Sequence, residues 1–128
     1  MKIYLIGCFF LILTFLFGCK DMHNDKKLLK TQVSPDSLHT VSVYYEEPFG
    51  FGAHPILVYG KKMNEAEEQL LLQTELYNDG ANLRTSNAEI IWIDAQNAQL
   101  SLSGKEQDTV HFVLSTYPAL RCTVRLDN

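Results

Sequence analysis

The sequence has few cysteines and few basic residues, and each shortage excludes a class of protein. Its 128 residues include only three cysteines, too few for the dense disulfide frameworks of small secreted scaffolds. The 11 Lys and Arg residues are outnumbered by 15 Asp and Glu, which gives a net charge of −4. Proteins that bind nucleic acid need clustered basic side chains against the phosphates, so we expect no nucleic-acid partner. The length allows a single domain.

Signatures of catalysis and of cofactor binding are also missing from the sequence. It contains no G-x-G-x-x-G, G-x-x-x-x-G-K-[ST], G-x-S-x-G, H-E-x-x-H or C-x-x-C pattern. Glu46 and Glu47 would point to opposite faces of a strand, so they do not form a catalytic carboxylate pair. The four histidines lie far apart, without the spacing of metal ligands: His23, His39, His54 and His111. The sequence therefore predicts no enzyme, no catalytic residue, no metal site and no cofactor.

The N-terminal segment has the pattern of a secretory signal peptide. Lys2 supplies a positive start, residues 3–17 are almost entirely apolar, and the chain becomes polar at Lys20. The apolar run is shorter than the roughly 20 residues that cross a bilayer as a helix. We therefore expect residues 1–18 to be a signal peptide; an uncleaved anchor helix is the alternative.

The end of this segment, Leu16-Phe17-Gly18-Cys19, resembles the lipobox of bacterial lipoproteins. Phe17 is larger than the residue usual at its position, whereas the leucine, the small residue and the cysteine match. The resemblance implies cleavage before Cys19 and fatty acylation of its thiol, for example with palmitate. Two acyl chains suffice for stable anchoring. It also implies a location in the cell envelope, with the membrane, inner or outer, left open. We expect residues 19–34 to form a flexible tether.

Residues 35–128 are expected to fold as one small β domain. Apolar residues alternate with polar ones or form short runs between turn residues, as in half-buried strands. Such segments contain Val41 and Val43, Ile56 to Tyr59, Ile90 to Ile93, Leu100 and Leu102, Val110 to Leu114, and Leu120 to Leu126. The expected architecture is all-β and mostly antiparallel, a meander, sandwich or open barrel of about six or seven strands. We expect Trp92 to be largely buried.

One segment fits two structures. The pattern of residues 64–77 predicts a strand with Leu70, Leu72 and Leu76 on one face, followed by a turn at Asn78-Asp79-Gly80. The same residues begin with a passable helix capping box, so an α+β fold with one helix at about 65–77 is the alternative.

Ser34-Pro35-Asp36, together with the later Ile91-Trp92-Ile93-Asp94, resembles segments of small bacterial lipoproteins of unknown function. This resemblance implies no activity. The expected function is therefore a non-catalytic binding or interaction module on the membrane. Its partner would be another envelope protein, a cell-wall polymer or a secreted toxin or enzyme. The alternatives are a hydrolase acting on envelope material and an immunity or inhibitor protein.

Phe49 and Phe51 are the candidate partner-contact residues. They alternate with Gly50 and Gly52 in a stretch that is longer than a simple hairpin turn requires. Large aromatic side chains in a surface loop are frequent contact anchors, and the alternative is that they cap the core. Nearby tyrosines, Tyr44, Tyr45 and Tyr59, either extend this aromatic surface or pack as cross-strand pairs.

Overall fold

The computed structural model describes residues 25–48, 52–115 and 123–125, which form eight β-strands and one short 3₁₀ helix. In chain order the elements are β1 Lys27–Val33, β2 His39–Tyr45, β3 His54–Lys62, β4 Gln69–Leu76, the 3₁₀ helix Thr85–Asn87, β5 Ala88–Trp92, β6 Asn97–Gly104, β7 Gln107–Ser115 and β8 Thr123–Arg125. The all-β, antiparallel prediction is confirmed.

The strands form two four-stranded sheets, each a meander in which sequence neighbours pair: β1-β2-β3-β4 and β5-β6-β7-β8. All pairs are antiparallel. In the first sheet, Lys27 lies opposite Tyr45 and His54 opposite Leu76. The start of β1, the end of β2, the start of β3 and the end of β4 therefore share one end of the sheet. We call it the β1-start end.

Alternating side chains from both sheets fill one hydrophobic core. The first sheet contributes Leu29, Val41, Val43, Ile56, Val58, Leu71 and Leu76, and the second Ala88, Ile90, Ala98, Leu100, Leu102, Phe112 and Leu114. The alternation of apolar and polar residues in the sequence therefore corresponds to an inner, buried face in β2, β3, β5 and β6. Because one cluster spans both sheets, each sheet depends on the other to bury its apolar face.

The expected tether over residues 19–34 is wrong from Lys27 onward, because Lys27–Val33 is the edge strand β1. Only Leu29 of this strand is buried, and the register with β2 shifts between Leu28 and Lys30. This bulge interrupts the alternation of apolar and polar residues, so the sequence pattern did not predict the strand. Lysines on an exposed edge strand also look like a polar linker, although they protect a sheet edge from pairing with other chains.

The helix considered for residues 65–77 is wrong, since Gln69–Leu76 is a strand paired with β3. The register shifts at Val58 and Tyr59, where Leu72 and Leu70 are the successive partners and Leu71 is the extra residue of a bulge. Leu71 turns inward and Leu70 remains 44% exposed, so the face predicted to join Leu70 with Leu72 and Leu76 is broken.

Trp92 is less buried than expected. It lies at the end of β5, partly buried against the core, and its flanking residues Ile91 and Ile93 are 49% and 57% exposed. Its indole Nε1 is buried and has no hydrogen-bond partner among the described residues. The burial of Trp92 was expected from the apolar run of residues 90–93, but in that run only Ile90 occupies a fully buried core position.

The two sheets meet at the corner where β4 ends. Tyr77, the next residue, donates its backbone N–H to the Gln107 side chain at 3.0 Å, and Asn78 accepts from the Lys105 backbone N–H at 3.2 Å. At Gly104 a Cβ atom would collide with the carbonyl oxygen of Tyr77. The β6–β7 turn can therefore pack against the end of β4 only because residue 104 has no side chain.

Replacing Gly104 with Ala should lower the free energy of unfolding by about 3 kcal/mol, because the added methyl meets rigid backbone. Gly60→Ala is the matched control: its Cβ would lie 2.9 Å from the flexible Leu71 Cδ1, and we expect a loss of about 1 kcal/mol. Urea unfolding of both variants checks this. A smaller loss at Gly104 than at Gly60 would contradict the close packing of the corner.

Candidate functional site

The outer surface of the first sheet carries an aromatic cluster built by cross-strand register. Tyr44 of β2 lies opposite Leu57 of β3, and Tyr59 lies opposite Leu70 of β4. The Tyr44 and Tyr59 rings meet edge to face, with centroids 5.6 Å apart and planes at 84°. Directly opposed residues of an antiparallel pair share a face, so these four side chains form one surface, which we call the tyrosine face.

Lys26 covers the tyrosine face from the chain just before β1. Its Nζ lies 4.1 Å from the centroid of the Tyr59 ring and 4.6 Å from that of Tyr44. A cation over a ring face is attracted by the ring quadrupole, by about 0.5–1 kcal/mol at exposed sites. The contact holds the start of β1 against the neighbouring strands. Sequence reasoning missed Lys26, because it assigned this residue to the tether.

Lys27 turns to the other side of the sheet edge. Its Nζ forms an ion pair with Glu47 at 2.6 Å and lies 6.0 Å from the Tyr45 ring centroid. The hydrogen bond between the two charges raises the pKa of Lys27 and lowers the pKa of Glu47. Tyr45 itself packs against the core and meets His54 edge to face at 5.8 Å. Of the three tyrosines singled out from the sequence, only Tyr44 and Tyr59 belong to the outer surface.

A groove of about 520 Å³ runs along the tyrosine face. Leu57, Leu70 and Tyr59 give it apolar walls, and polar side chains surround them: Asp25, Lys26, Glu46 and Gln73. An apolar surface with a polar rim is the usual composition of a protein-contact patch. Leu70 is exposed here only because of the bulge in β4, so the irregularity that sequence analysis could not see also creates part of the groove.

The tyrosine face changes the pKa of Tyr44. Partial burial raises the pKa of its hydroxyl, and the charge of Glu68 raises it further. The hydroxyl donates a hydrogen bond to Glu68 Oε1 at 3.2 Å. This bond links the Tyr44 side chain of β2 to the connection between β3 and β4.

The residues proposed from the sequence as site residues, Cys19, Phe49 and Phe51, lie outside the described residues. The two ends of the phenylalanine loop are described. Glu46 donates its backbone N–H to the carbonyl of Pro55 at 3.0 Å. The buried His54 ring contacts the carbonyl oxygens of Glu46 at 3.3 Å and Ala81 at 3.2 Å. The loop therefore leaves the β1-start end from fixed supports, and its role in partner contact stays a prediction.

Ser101 and His111 form the one contact in the described ranges that resembles a nucleophile with its base. Ser101 Oγ lies 2.7 Å from His111 Nδ1, and the two residues are directly opposite in β6 and β7. Ser101 is only 8% exposed and lies in an interior strand, whose backbone N–H groups bond to neighbouring strands. Gln99 Nε2 also lies 3.3 Å from His111 Nδ1, so the ring contacts two polar side chains of β6. The pair is explained by cross-strand hydrogen bonding.

No group of three or more metal-ligating side chains occurs among the residues that the structure describes. The same residues contain no helix long and apolar enough to span a bilayer. No protein-family model, curated protein or solved structure matches the chain.

The contact between Tyr44 and Glu68 predicts a measurable titration. Glu68→Gln removes the negative charge, so the pKa of Tyr44 should fall toward the ordinary phenol value of about 10, while burial keeps it above that value. Tyrosinate absorbance measured against a Tyr44→Phe reference isolates this group. Glu67→Gln, a neighbouring exposed carboxylate, is the control and should leave the titration unchanged. A Tyr44 pKa that rises or stays constant in Glu68→Gln would contradict the assignment.

Proposed function

We propose that this protein is a bacterial envelope lipoprotein, anchored through acylated Cys19, whose β domain binds a macromolecular partner and catalyses no reaction. The anchor rests on the match of Leu16-Phe17-Gly18-Cys19 to the lipobox, at the end of a signal-like segment. The binding role rests on one observation: the tyrosine face presents an apolar groove at the surface of a sheet whose other face already fills the core.

The chemistry of the groove favours a protein or polymer surface as partner. Tyr59 and Leu70 provide apolar surface, and their side chains lose little conformational entropy when a partner covers them. Gln73 and Glu46 provide hydrogen-bonding groups at the rim. Phe49 and Phe51 follow β2 in sequence and, in this proposal, enlarge the contact surface at its β1-start end. An immunity or inhibitor protein would act through the same surface, since inhibition needs binding and no catalytic groups.

Capture of a partner by the full-length protein tests this function. Tyr59→Ser with Leu70→Ser should abolish capture from detergent-solubilised envelopes of the source cells, because the apolar walls of the groove are lost. The melting temperature should fall only modestly, since both side chains lie on the outer face and the lost contact of Tyr59 with Lys26 is worth about 0.5–1 kcal/mol. Phe49→Ser with Phe51→Ser should weaken capture in the same way.

The matched control is Ile91→Ser with Ile93→Ser, which removes two exposed apolar side chains of the second sheet region. Capture should survive this change. If the control variant loses the partner and the Tyr59 and Leu70 variant retains it, the binding surface lies on the second sheet. Loss of capture in both would indicate nonspecific apolar association and contradict the proposal.

A further inference from the structure

A turn with left-handed backbone begins the crossing from the first sheet to the second. Asp79 and Gly80 have φ angles of 51° and 66°, and Ala81 donates its N–H to the Asn78 carbonyl at 2.9 Å. Asp and Gly are the residues that accept this conformation most readily, so the turn expected at residues 78–80 is confirmed. Its geometry holds the Asp79 side chain at the surface beside the β6–β7 turn.

The side chains of Asn78 and Asn87 hold the backbone around this turn in place. The Asn78 side chain accepts from the Lys105 N–H and donates to the carbonyls of Ala81 at 3.1 Å and Asn82 at 3.3 Å. Asn87 accepts from the Arg84 N–H at 2.7 Å and donates to the Ser103 carbonyl at 2.8 Å. Because both amides are committed to backbone groups, the backbone at Arg84 and Lys105 is held in place.

Two clefts share Asn78 in their lining and carry opposite charge. One, of about 520 Å³, is lined by Arg84, Ser86 and Lys105 and by no carboxylate. The other, of about 400 Å³, is lined by Asp79, Glu106 and Tyr77. We call the pair the bipolar groove.

The four charged side chains of the bipolar groove are exposed to solvent. Arg84, Lys105, Asp79 and Glu106 are all solvent-exposed, and within the described ranges the only salt bridge joins Lys27 and Glu47. Lys105 and Glu106 are consecutive, so the positive and negative halves lie side by side. An anionic ligand alone would be repelled by one half, whereas a zwitterionic ligand would satisfy both.

Together with the proposed anchor, the position of the groove favours a membrane lipid as the source of such a ligand. Tyr77 and Asn78 follow β4 directly and therefore lie at the β1-start end. The stretch from Cys19 to Lys26 is at most about 25 Å long when extended. The opposite end lies one strand further away, and the nine-residue β3 spans about 30 Å. A lipid on Cys19 would therefore hold the β1-start end, with its bipolar groove, nearer the membrane.

We propose that the bipolar groove binds the phosphoethanolamine headgroup of a membrane phospholipid. The phosphate lies toward Arg84 and Lys105, and the primary ammonium donates hydrogen bonds toward Asp79 and Glu106. This inference rests on the proposed lipid anchor, which brings the groove to the bilayer surface. It adds a second point of attachment that orients the domain, so that the tyrosine face stands roughly perpendicular to the membrane.

The test uses the full-length lipidated protein in three vesicle types: phosphatidylcholine alone, or phosphatidylcholine mixed with phosphatidylethanolamine or with phosphatidylglycerol. Amide hydrogen exchange is followed in residues 77–87 and 103–107. Ethanolamine vesicles should slow exchange there about tenfold relative to the other two, the factor expected when the headgroup is present at roughly ten times its Kd. The choline headgroup cannot donate from its quaternary nitrogen, and the glycerol headgroup carries no cation.

Variants separate the two halves of the groove. Arg84→Gln with Lys105→Gln, and separately Asp79→Asn with Glu106→Gln, should each remove the protection. Lys61→Gln with Lys62→Gln, at the opposite end of the first sheet, removes the same charge and should retain it. Equal protection in all vesicles, stronger protection with phosphatidylglycerol, or retained protection in both groove variants would overturn the proposal.

A titration with soluble O-phosphoethanolamine keeps this result distinct from the anchor. If the protein fails to associate with any vesicle, the anchor of the proposed function is contradicted, and the groove is then judged by protection in the soluble titration alone. Absence of protection there would overturn the groove as a site. Binding of the soluble compound together with unchanged exchange on ethanolamine vesicles would overturn the lipid as its source.

Discussion

The fold depends on the corner where β4 ends against the β6–β7 turn. Neither sheet can bury its apolar face alone, because one core cluster takes side chains from both. The corner joins them through the missing side chain of Gly104 and through Asn78, whose amide accepts from Lys105. Unsatisfied backbone groups there would be costly, so the asparagine side chains replace the strand pairing that ends at this point. The bipolar groove is the outer surface of the same corner.

Sequence periodicity predicted the class of fold because most strands are half-buried and regular. Val41 and Val43 in β2, and Leu100 and Leu102 in β6, alternate with polar residues and occupy the core as expected. The failures at β1 and at Leu70 share one physical cause, the β-bulge. Extra residues at Leu29 and Leu71 interrupt the apolar–polar alternation. As a result, the sequence pattern did not predict β1, and Leu70 lies on the exposed face of β4. Tyr44 and Tyr59 of the tyrosine face could be singled out from the sequence. The contacts of Lys26 and Leu70 could not, because they depend on the register between strands that are distant in sequence.

The proposed roles occupy different parts of one small domain. The tyrosine face lies on the outside of the first sheet, and the bipolar groove lies at its β1-start end. Lys26 and Lys27 fasten the first strand by opposite sides, one over Tyr59 and one to Glu47, and the residue of the proposed anchor, Cys19, precedes them in the chain. In the proposed function, fixing the first strand in this way would orient the tyrosine face relative to the membrane, which would reduce the entropy lost when a partner is bound.

Mass spectrometry of the mature protein isolated from membranes tests the central claim most directly, since anchoring, orientation and partner access all depend on Cys19. The account predicts an N-terminal peptide that begins at Cys19 and carries a diacylglyceryl group, and a Cys19→Ser protein that lacks acyl chains and leaves the membrane fraction. A mature protein that retains residues 1–18, or an unmodified Cys19 in a protein that stays in the membrane, would contradict it.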